Sequence, residues 1–285
     1  MATTYPRDDS SFIHYTRMAR YYDTIYSKIL DYSSQADYLE RIIAKHKDQK
    51  RPGSILDVAC GTGNYTFIFA ERGWKATGID ISNEMIQIAT EKAAKKTNPR
   101  FVRMDMRKIE LQEKYDVATV LFGGFGYLLE HEEVENFLAG VEKRLEPRAL
   151  LIFDFWQNSA IFPAASRPSG HTSWDRSEDD DRLIIRLHTS KYNAQSNILN
   201  VQFDFYILDT RGKKPVDNFS ETHKTKTYAI SHIQELLERN KLKALAFYDG
   251  DIGKSKKDEP KDASFGTFRV LAVATPTVDN SGREA

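Results

Sequence analysis

The sequence predicts an α/β protein whose core is a doubly wound, Rossmann-like parallel sheet. Residues 55–59 are apolar or small except for Asp57, which is typical of a short strand buried on both faces. A turn that contains Gly61 and Gly63 follows this strand, and an apolar helix begins near Tyr65. A strand, a glycine turn and a helix in succession form the ligand-binding corner of such a sheet, because glycine lets the backbone approach a ligand closely.

The second predicted strand indicates which kind of ligand this corner binds. Residues 75–80 read as a strand that ends in Asp80, at the tip of the neighbouring position in the sheet. A carboxylate there can accept hydrogen bonds from both hydroxyls of a ribose. Thr66 stands where a dinucleotide fingerprint would have its third glycine, so close packing of a pyrophosphate is not supported. Asp57, an acid before the glycines, favours a ligand that carries a cationic amino group.

The segments DVACGTG and GIDISNEMIQIA resemble the first two motifs of the class I S-adenosylmethionine-dependent methyltransferases. The resemblance covers about residues 40–158 and implies a seven-stranded sheet with S-adenosylmethionine as the cofactor. It also implies that the glycine turn lies under the methionine part, that Asp80 holds the ribose and that Asp105 faces the adenine amino group. The residues predicted to bind the cofactor are Tyr22, Asp57, Ala59, Gly61, Thr62, Gly63, Asp80, Ile81, Met85, Asp105, Met106 and Leu121. The alternative is a Rossmann-like domain that binds another nucleotide through the same turn.

Composition indicates a soluble, globular protein. The 285 residues are 40% hydrophobic and 29% charged, and the 41 Lys and Arg residues balance the 41 Asp and Glu residues. This balance gives no overall basic bias towards nucleic acid. The single cysteine, Cys60, cannot form an intramolecular disulfide and fits a reducing compartment. No secretory segment or apolar run of membrane length is visible, so we expect a cytoplasmic protein with no membrane partner. A homodimer stays open.

The remaining pattern predicts one domain, residues 1–275, followed by a tail at 276–285. Residues 12–48 are expected to form a helical lid, in which Tyr22, Ile25, Tyr26 and Ile29 share one face of a first helix and a second helix follows at 37–46. The alternative is an amphipathic helix that is docked permanently. After a helix at 132–145 and a fifth strand at 149–155, residues 159–181 read as a polar loop. Alternation of apolar and polar residues then predicts an antiparallel insertion within residues 159–230. Its strands are expected at 183–192, 198–208 and 219–230, and a helix at 231–240 and a hairpin at 242–248 and 265–274 complete the sheet.

A sheet inserted after the fifth strand would cover the carboxyl edge of the core, which favours a small acceptor molecule. Together with the segment FGGFGYL, this insertion resembles that of the amino-sugar N-methyltransferases. The predicted catalytic residues near the methyl group are Tyr26, Tyr127 and His223, with Glu221 as an orienting residue. No metal-ligand motif is recognisable. We therefore expect methyl transfer to a small polar acceptor, with an amine of a nucleotide-linked sugar as the first candidate. The alternatives are an RNA or protein methyltransferase, an O-methyltransferase of a small metabolite and a binding module without activity.

Overall fold

A seven-stranded sheet forms the centre of the protein. The structure, a computed structural model, describes residues 15–47, 52–94, 96–165, 170–211, 214–250 and 259–277. The strands are β1 Ser54–Val58, β2 Lys75–Asp80, β3 Arg100–Arg103, β4 Tyr115–Val120, β5 Leu145–Gln157, β6 His171–Glu178, β7 Arg182–Asn193, β8 Ile198–Asp209, β9 Pro215–Tyr228, β10 Leu242–Asp249 and β11 Arg269–Pro276. The central sheet has the order β3-β2-β1-β4-β5-β11-β10, in which the first five strands are parallel and β11 runs antiparallel to both of its neighbours, β5 and β10.

Helices cover both faces of this sheet. They are α1 Ala19–Tyr26, α2 Tyr32–His46, α3 Asn64–Glu71, α4 Asn83–Ala93, α5 His131–Glu142, α6 Asn158–Ala165 and α7 Ile230–Arg239. Alternate residues of β1 enter different cores: Ile55 packs with α2 and α3, whereas Leu56 packs with α5 and α7. This division follows from the alternation of side chains along a strand. Among the described helices, none is both long and apolar enough to cross a membrane.

The N-terminal segment forms two helices separated by a break. The sequence pattern predicts a first helix that includes Ile29 and a second helix at 37–46, but α1 ends at Tyr26 and α2 already begins at Tyr32. Asp31 explains the break, since its side chain accepts a hydrogen bond from Ser34 N at 3.0 Å and caps the start of α2. The prediction that Ile29 lies on the inner face is therefore wrong, because Ile29 is 51% exposed. Residues 12–14 of the predicted lid lie outside the described residues.

The insertion contains four antiparallel strands in the order β9-β8-β7-β6. The predicted polar loop at 159–181 is a wrong prediction, since α6 and β6 lie there. β6 is an edge strand that is mostly exposed, so its sequence HTSWDRSE lacks the apolar alternation of a half-buried strand. The end of β9 pairs in parallel with the end of β5, through Trp156 with Thr227 and Gln157 with Tyr228. This short pairing fixes the insertion beside the carboxyl edge of the central sheet.

Two predicted boundaries at the centre of the chain are also wrong. The helix expected to reach residue 145 ends at Glu142, and β5 starts at Leu145 instead of residue 149. Pro147 fits inside β5 because the register against β4 is irregular there: Tyr115 pairs with Leu145, and Val117 pairs with Leu150. The residues between these two pairs need no ladder hydrogen bond, so the missing N–H of proline is tolerated. In the final hairpin, the last strand was expected to start at residue 265, but β11 starts at Arg269. Phe265 lies outside the sheet and is 82% exposed. Most of the predicted tail, residues 278–285, and residues 251–258 of the preceding loop lie outside the described residues.

The helix α1 packs against the inner face of the insertion. One hydrophobic cluster joins the helix to the insertion. It contains the N-cap residue Met18 and Tyr21, Ile25 and Tyr26 of α1, packed with Ile184, Phe205, Ile207 and Phe219. The opposite side of α1 contacts the glycine turn through Asp23. The Asp23 carboxylate accepts hydrogen bonds from Thr62 Oγ1 at 2.6 Å, from Asn64 Nδ2 at 3.0 Å and from Lys92 Nζ at 3.0 Å. The helix therefore bridges the insertion and the ligand-binding corner; opening of this segment as a lid stays a prediction.

We predict that Gly63→Ala destabilises the fold by about 2–4 kcal/mol. Gly63 has φ +82°, and a Cβ there would lie 2.5 Å from Phe101 Cζ. Gly266→Ala is the matched control, since a Cβ at Gly266 meets nothing within 4 Å. Urea unfolding should show a lower free energy of unfolding for Gly63→Ala only. Equal stability of both variants would contradict the close packing at Gly63.

Stability should also depend on pH through Asp57, whose side chain is buried between Thr66 and Thr119 at hydrogen-bond distances of 2.6 and 3.1 Å. Burial raises the pKa of Asp57 to about 6, an effect that the two threonine hydrogen bonds only partly offset. A raised carboxyl pKa gives stability that is fully present below about pH 4 and is lost as the pH rises through about 6. Asp57→Asn removes this titration. Its free energy of unfolding relative to the wild type should rise by roughly 3 kcal/mol between pH 4 and pH 8 in urea titrations. A difference that does not change with pH would contradict this assignment.

Candidate functional site

A cavity lies at the carboxyl ends of β1 to β4, where a doubly wound sheet binds its ligands. Its empty volume, including the open mouth, is about 870 Å³. Nine of the twelve residues predicted to bind the cofactor line it. These are Tyr22, Ala59, Gly61, Asp80, Ile81, Met85, Asp105, Met106 and Leu121. The fold thus brings most of the residues predicted to bind the cofactor to one cavity, and the other three support the turn and the helix next to it.

The glycine turn forms the floor of the cavity. Ala59 and Gly61 both have positive φ, +54° and +56°, so the backbone here makes a turn that L side chains rarely adopt. A Cβ at Gly61 would meet only Met85 Sδ, at 3.9 Å, and would otherwise occupy the cavity. The missing side chain of Gly61 therefore leaves space for a ligand.

Three of the predicted cofactor residues do not line the cavity. Asp57 lies below it, held by the two threonine hydroxyls. Thr62 is buried and donates to Asp23, while Gly63 starts α3 and packs against Phe101. The prediction treated all of its residues in the DVACGTG motif as ligand contacts, whereas these three support the turn and the helix α3 behind it.

Asp80 presents a carboxylate that the backbone holds in place. One of its oxygens accepts Gly61 N–H at 2.8 Å and the other accepts Ser82 N–H at 2.8 Å. Burial raises the pKa of Asp80, while these backbone hydrogen bonds act in the opposite direction. Ser82 also caps α4 by accepting Met85 N–H at 3.2 Å. Asp80 is thus fixed between the glycine turn and the start of α4, and its remaining lone pairs can accept from a polar ligand.

Asp105 lines the cavity but is already bonded to an arginine. Its carboxylate accepts from Arg107 Nη2 at 2.6 Å and from Arg107 Nε at 2.9 Å, and Arg107 Nη1 donates to Glu133 at 2.7 Å. The hydrogen bonds that Arg107 donates to Asp105 and Glu133 raise the pKa of Arg107. The sequence interpretation missed Arg107, which lines the cavity as well. A basic residue two positions after the acid was the available signal.

The wall at the end of β4 depends on a buried acid. Asp154 accepts hydrogen bonds from Phe122 N at 2.7 Å and from Gly123 N at 2.6 Å. Both donors have positive φ, +62° and +81°, so Asp154 stabilises a left-handed turn at this point. Burial raises the pKa of Asp154, and Arg269 Nη1 lies 3.7 Å from its carboxylate. The turn places four residues of the FGGFGYL segment in the cavity wall, next to Leu121 at the end of β4; these are Phe122, Gly124, Tyr127 and Leu128.

A chain of polar side chains leads away from this wall. Tyr15 and Tyr127 both line the cavity, and their hydroxyl oxygens are 2.8 Å apart. Tyr127 Oη lies 2.7 Å from His223 Nδ1, and His223 Nε2 lies 3.5 Å from Glu221 Oε2. Burial raises the pKa of both tyrosines well above the ordinary range, so both phenols are neutral. The structure therefore connects Tyr127, His223 and Glu221 and adds Tyr15, which was not among the residues predicted for the site.

Tyr26, the other predicted catalytic residue, is separate from this chain. It does not line the cavity, and its hydroxyl accepts a hydrogen bond from Arg186 Nη1 at 2.9 Å. Its ring packs against Phe122 and Tyr22, and its hydroxyl points towards the insertion because Arg186 lies on β7. Within the described residues, no group of three or more His, Cys, Asp and Glu side chains could hold a metal ion. Cys60 lies in the glycine turn, and burial raises the pKa of its thiol well above the ordinary value.

The chain is similar to methyltransferases in sequence. Residues 55–148 match the family described as Methyltransferase domain. A putative methyltransferase of Geobacillus sp. (strain WCH70) is 32% identical over 229 residues, which are 78% of this chain and 86% of that protein. The dTDP-3-amino-3,4,6-trideoxy-alpha-D-glucopyranose N,N-dimethyltransferase of Streptomyces venezuelae is 26% identical over 203 residues, which are 71% of this chain and 80% of that enzyme.

The fold has solved counterparts as well. The crystal structure of an S-adenosylmethionine-dependent methyltransferase from Clostridium acetobutylicum superimposes with a TM-score of 0.73 at 20% identity, over 93% of this chain and 99% of that one. This likeness confirms the predicted doubly wound fold. Identity of 32% to a methyltransferase over most of both chains, with a family match that spans the glycine turn and Asp80, shows common descent. The chain therefore belongs to the class I S-adenosylmethionine-dependent methyltransferases, and S-adenosylmethionine is its cofactor.

Proposed function

We propose that this enzyme methylates an amine nitrogen of a small polar acceptor, with nucleotide-linked amino sugars as the first candidate class. The observation that carries the proposal is the chain from Tyr127 to His223 and Glu221, which begins in the cavity wall and ends on a buried carboxylate. The Streptomyces venezuelae relative, which is named as an N,N-dimethyltransferase of a dTDP-amino sugar, supports the choice of acceptor.

The residues at the carboxyl edge fit the cofactor. Asp80 offers a fixed acceptor for the ribose hydroxyls, and the absent side chain of Gly61 leaves space beside Met85 for a bulky ligand. Tyr22, Ala59, Ile81, Met106 and Leu121 supply mostly apolar wall, and Asp105 with Arg107 lies at the end of β3. S-adenosylmethionine supplies a methyl group that is already activated on a sulfonium. The remaining task of the protein is to align the acceptor and exclude water, and alignment alone can lower a barrier by about 7–11 kcal/mol.

A small acceptor fits the covered edge better than a macromolecule does. The α1 helix and the insertion meet over the side of the cavity that carries Tyr15 and Tyr127. An RNA or protein methyltransferase would need an open, basic edge, and binding of RNA would depend strongly on salt. The equal numbers of acidic and basic residues give no support to such an edge.

An amine fits this wall better than a hydroxyl. An aliphatic ammonium has a pKa of about 10 and must lose a proton before its nitrogen has a free lone pair. The imidazole is the base that can take up this proton, and the neutral phenols between can pass it on, each releasing one proton for the one that it receives. A sugar hydroxyl is a far weaker acid, so the same groups would remove its proton much less readily. O-methylation is therefore the second candidate.

Asp80→Ala should weaken S-adenosylmethionine binding by about ten-fold or more, because hydrogen bonds to a charged group contribute roughly 1.5–3 kcal/mol. Gly61→Val should weaken it as well, since a Cβ there would meet only Met85 Sδ at 3.9 Å and the rest of the new side chain would extend into the cavity. Calorimetric titration measures both affinities, and circular dichroism checks that each variant is folded. If both variants bind as the wild type does, the cofactor does not lie at this edge.

The acceptor class can be tested with matched sugars. We expect methyl transfer from labelled cofactor to a nucleotide-linked amino sugar and little transfer to its counterpart with a hydroxyl in place of the amine. RNA of mixed sequence serves as the macromolecular control and should remain unlabelled. Faster labelling of the hydroxyl sugar would favour O-methylation, and salt-sensitive labelling of RNA would overturn the small-molecule proposal.

A further inference from the structure

We propose that Tyr15 is the catalytic residue that contacts the acceptor nitrogen, and that Glu221 is a positioning residue that sets the direction of the entire hydrogen-bond chain. The inference deepens the proposed amine methylation and rests on it. Neither residue belongs to the cofactor motifs. Tyr15 lies just before α1 and Glu221 lies on β9, so the two segments must meet for the site to be complete.

Glu221 joins these two segments through four contacts. Its Oε1 accepts Met18 N–H at 3.0 Å and Arg17 N–H at 3.2 Å. Its Oε2 accepts Tyr15 N–H at 3.2 Å and lies 3.5 Å from His223 Nε2. Burial alone would raise the pKa of Glu221, but hydrogen bonds from His223, Met18 and Tyr15 lower it overall, so the group is a carboxylate. One anion therefore holds the backbone before α1 and the imidazole.

The carboxylate dictates where each proton of the chain lies. A carboxylate can only accept, so the nearby negative charge of Glu221, 3.5 Å from Nε2, favours the His223 tautomer with its proton on Nε2 and leaves Nδ1 as an acceptor. Tyr127 must then donate its hydroxyl proton to Nδ1, at 2.7 Å. The Tyr127 oxygen in turn accepts the proton of Tyr15, at 2.8 Å. With its own proton committed, the Tyr15 oxygen can only accept a hydrogen bond from a group in the cavity. These proton positions are inferred from the contacts among Tyr15, Tyr127, His223 and Glu221 taken together.

The backbone of Tyr15 supports a functional role. Its φ is +63°, a left-handed conformation that is uncommon and strained for a residue with a side chain. The structure holds it there through Glu221 and through ring contacts with His223, at 4.8 Å between centroids, and with Tyr22 and Tyr127. Such strained residues cluster at functional sites, where the surroundings fix them for a purpose.

The proton step that follows is balanced without a further reactant. The acceptor ammonium gives a proton to the Tyr15 oxygen, Tyr15 gives its proton to Tyr127, and Tyr127 gives its proton to His223 Nδ1. One N–H bond of the ammonium breaks, the Nδ1–H bond forms, and both phenols end neutral. The positive charge moves to the imidazole, beside the Glu221 carboxylate. Among the described residues, the groups that face His223 include Glu221 on its own strand, Tyr127 from the turn after β4, Tyr15 from the segment before α1 and the uncharged Phe203 from β8.

The first test compares Tyr15→Phe with Tyr21→Phe. Tyr21 lies in the same region, but its hydroxyl donates to Asp217 at 3.3 Å and faces away from the cavity. Tyr15→Phe should lower kcat for the amino sugar by about 10²–10⁴-fold, the range of acid–base catalysis, with the affinity for S-adenosylmethionine unchanged. Tyr21→Phe should keep the wild-type kcat. A wild-type rate in Tyr15→Phe overturns the role of Tyr15, while labelling of no amine by the wild type overturns the proposed function instead.

The second test addresses Glu221 through Glu221→Gln, with Asp217→Asn as the matched carboxylate-to-amide change on the same strand. Loss of the Glu221 charge removes the anion beside the imidazolium that forms on His223, so the acidic limb of kcat/KM should move to lower pH; Asp217→Asn should leave it in place. Nitrogen NMR of the histidine rings gives a readout that needs no acceptor, with His223→Gln used for assignment. The wild-type protein should show His223 with the proton on Nε2. A resting Nδ1–H form, or a limb that does not move in Glu221→Gln, overturns the positioning role.

Discussion

The pairing of the last residues of β5 with the last residues of β9 is the constraint on which the site depends. Only two residue pairs join the strands, Trp156 with Thr227 and Gln157 with Tyr228. They nevertheless place β9 against the turn after β4, where a Cβ on Gly126 would meet Thr225 Cβ at 3.2 Å and Lys226 O at 3.3 Å. This close approach brings His223 to Tyr127, and the inner face of the insertion then receives α1.

Buried carboxylates perform the same task at three strand ends. Asp80 holds the glycine turn and the start of α4, Asp154 holds the turn after β4, and Asp57 holds the base of α3 through Thr66. Burial raises the pKa of each, which shows that each ionised form is held at some expense of stability. The gain is a cavity wall whose backbone is fixed before a ligand arrives, as preorganised sites require.

The N-terminal helix is held by polar contacts at two levels. Asp23 connects it to the glycine turn and α4, and Glu221 connects the preceding segment to the insertion. Between these contacts lies an apolar face against Phe205 and Phe219. Polar contacts with solvent-accessible carboxylates such as Asp23 exchange readily with water, whereas the apolar face does not. This division is compatible with a helix that stays with the insertion and separates from the cofactor side, which would reconcile the lid with the docked helix.

The sequence by itself determined the doubly wound sheet, the glycine turn and Asp80, because strand periodicity, glycine spacing and an acid at a strand end are local signals. It also indicated Tyr127, His223 and Glu221 by residue type, but their roles stay predictions. Only the tertiary structure decided that Tyr15 joins them, that Tyr26 bonds to Arg186 instead, and that the polar segment at β6 is a strand. These features join residues that are distant in the chain or depend on edge pairing, and neither kind of contact leaves a period in the sequence.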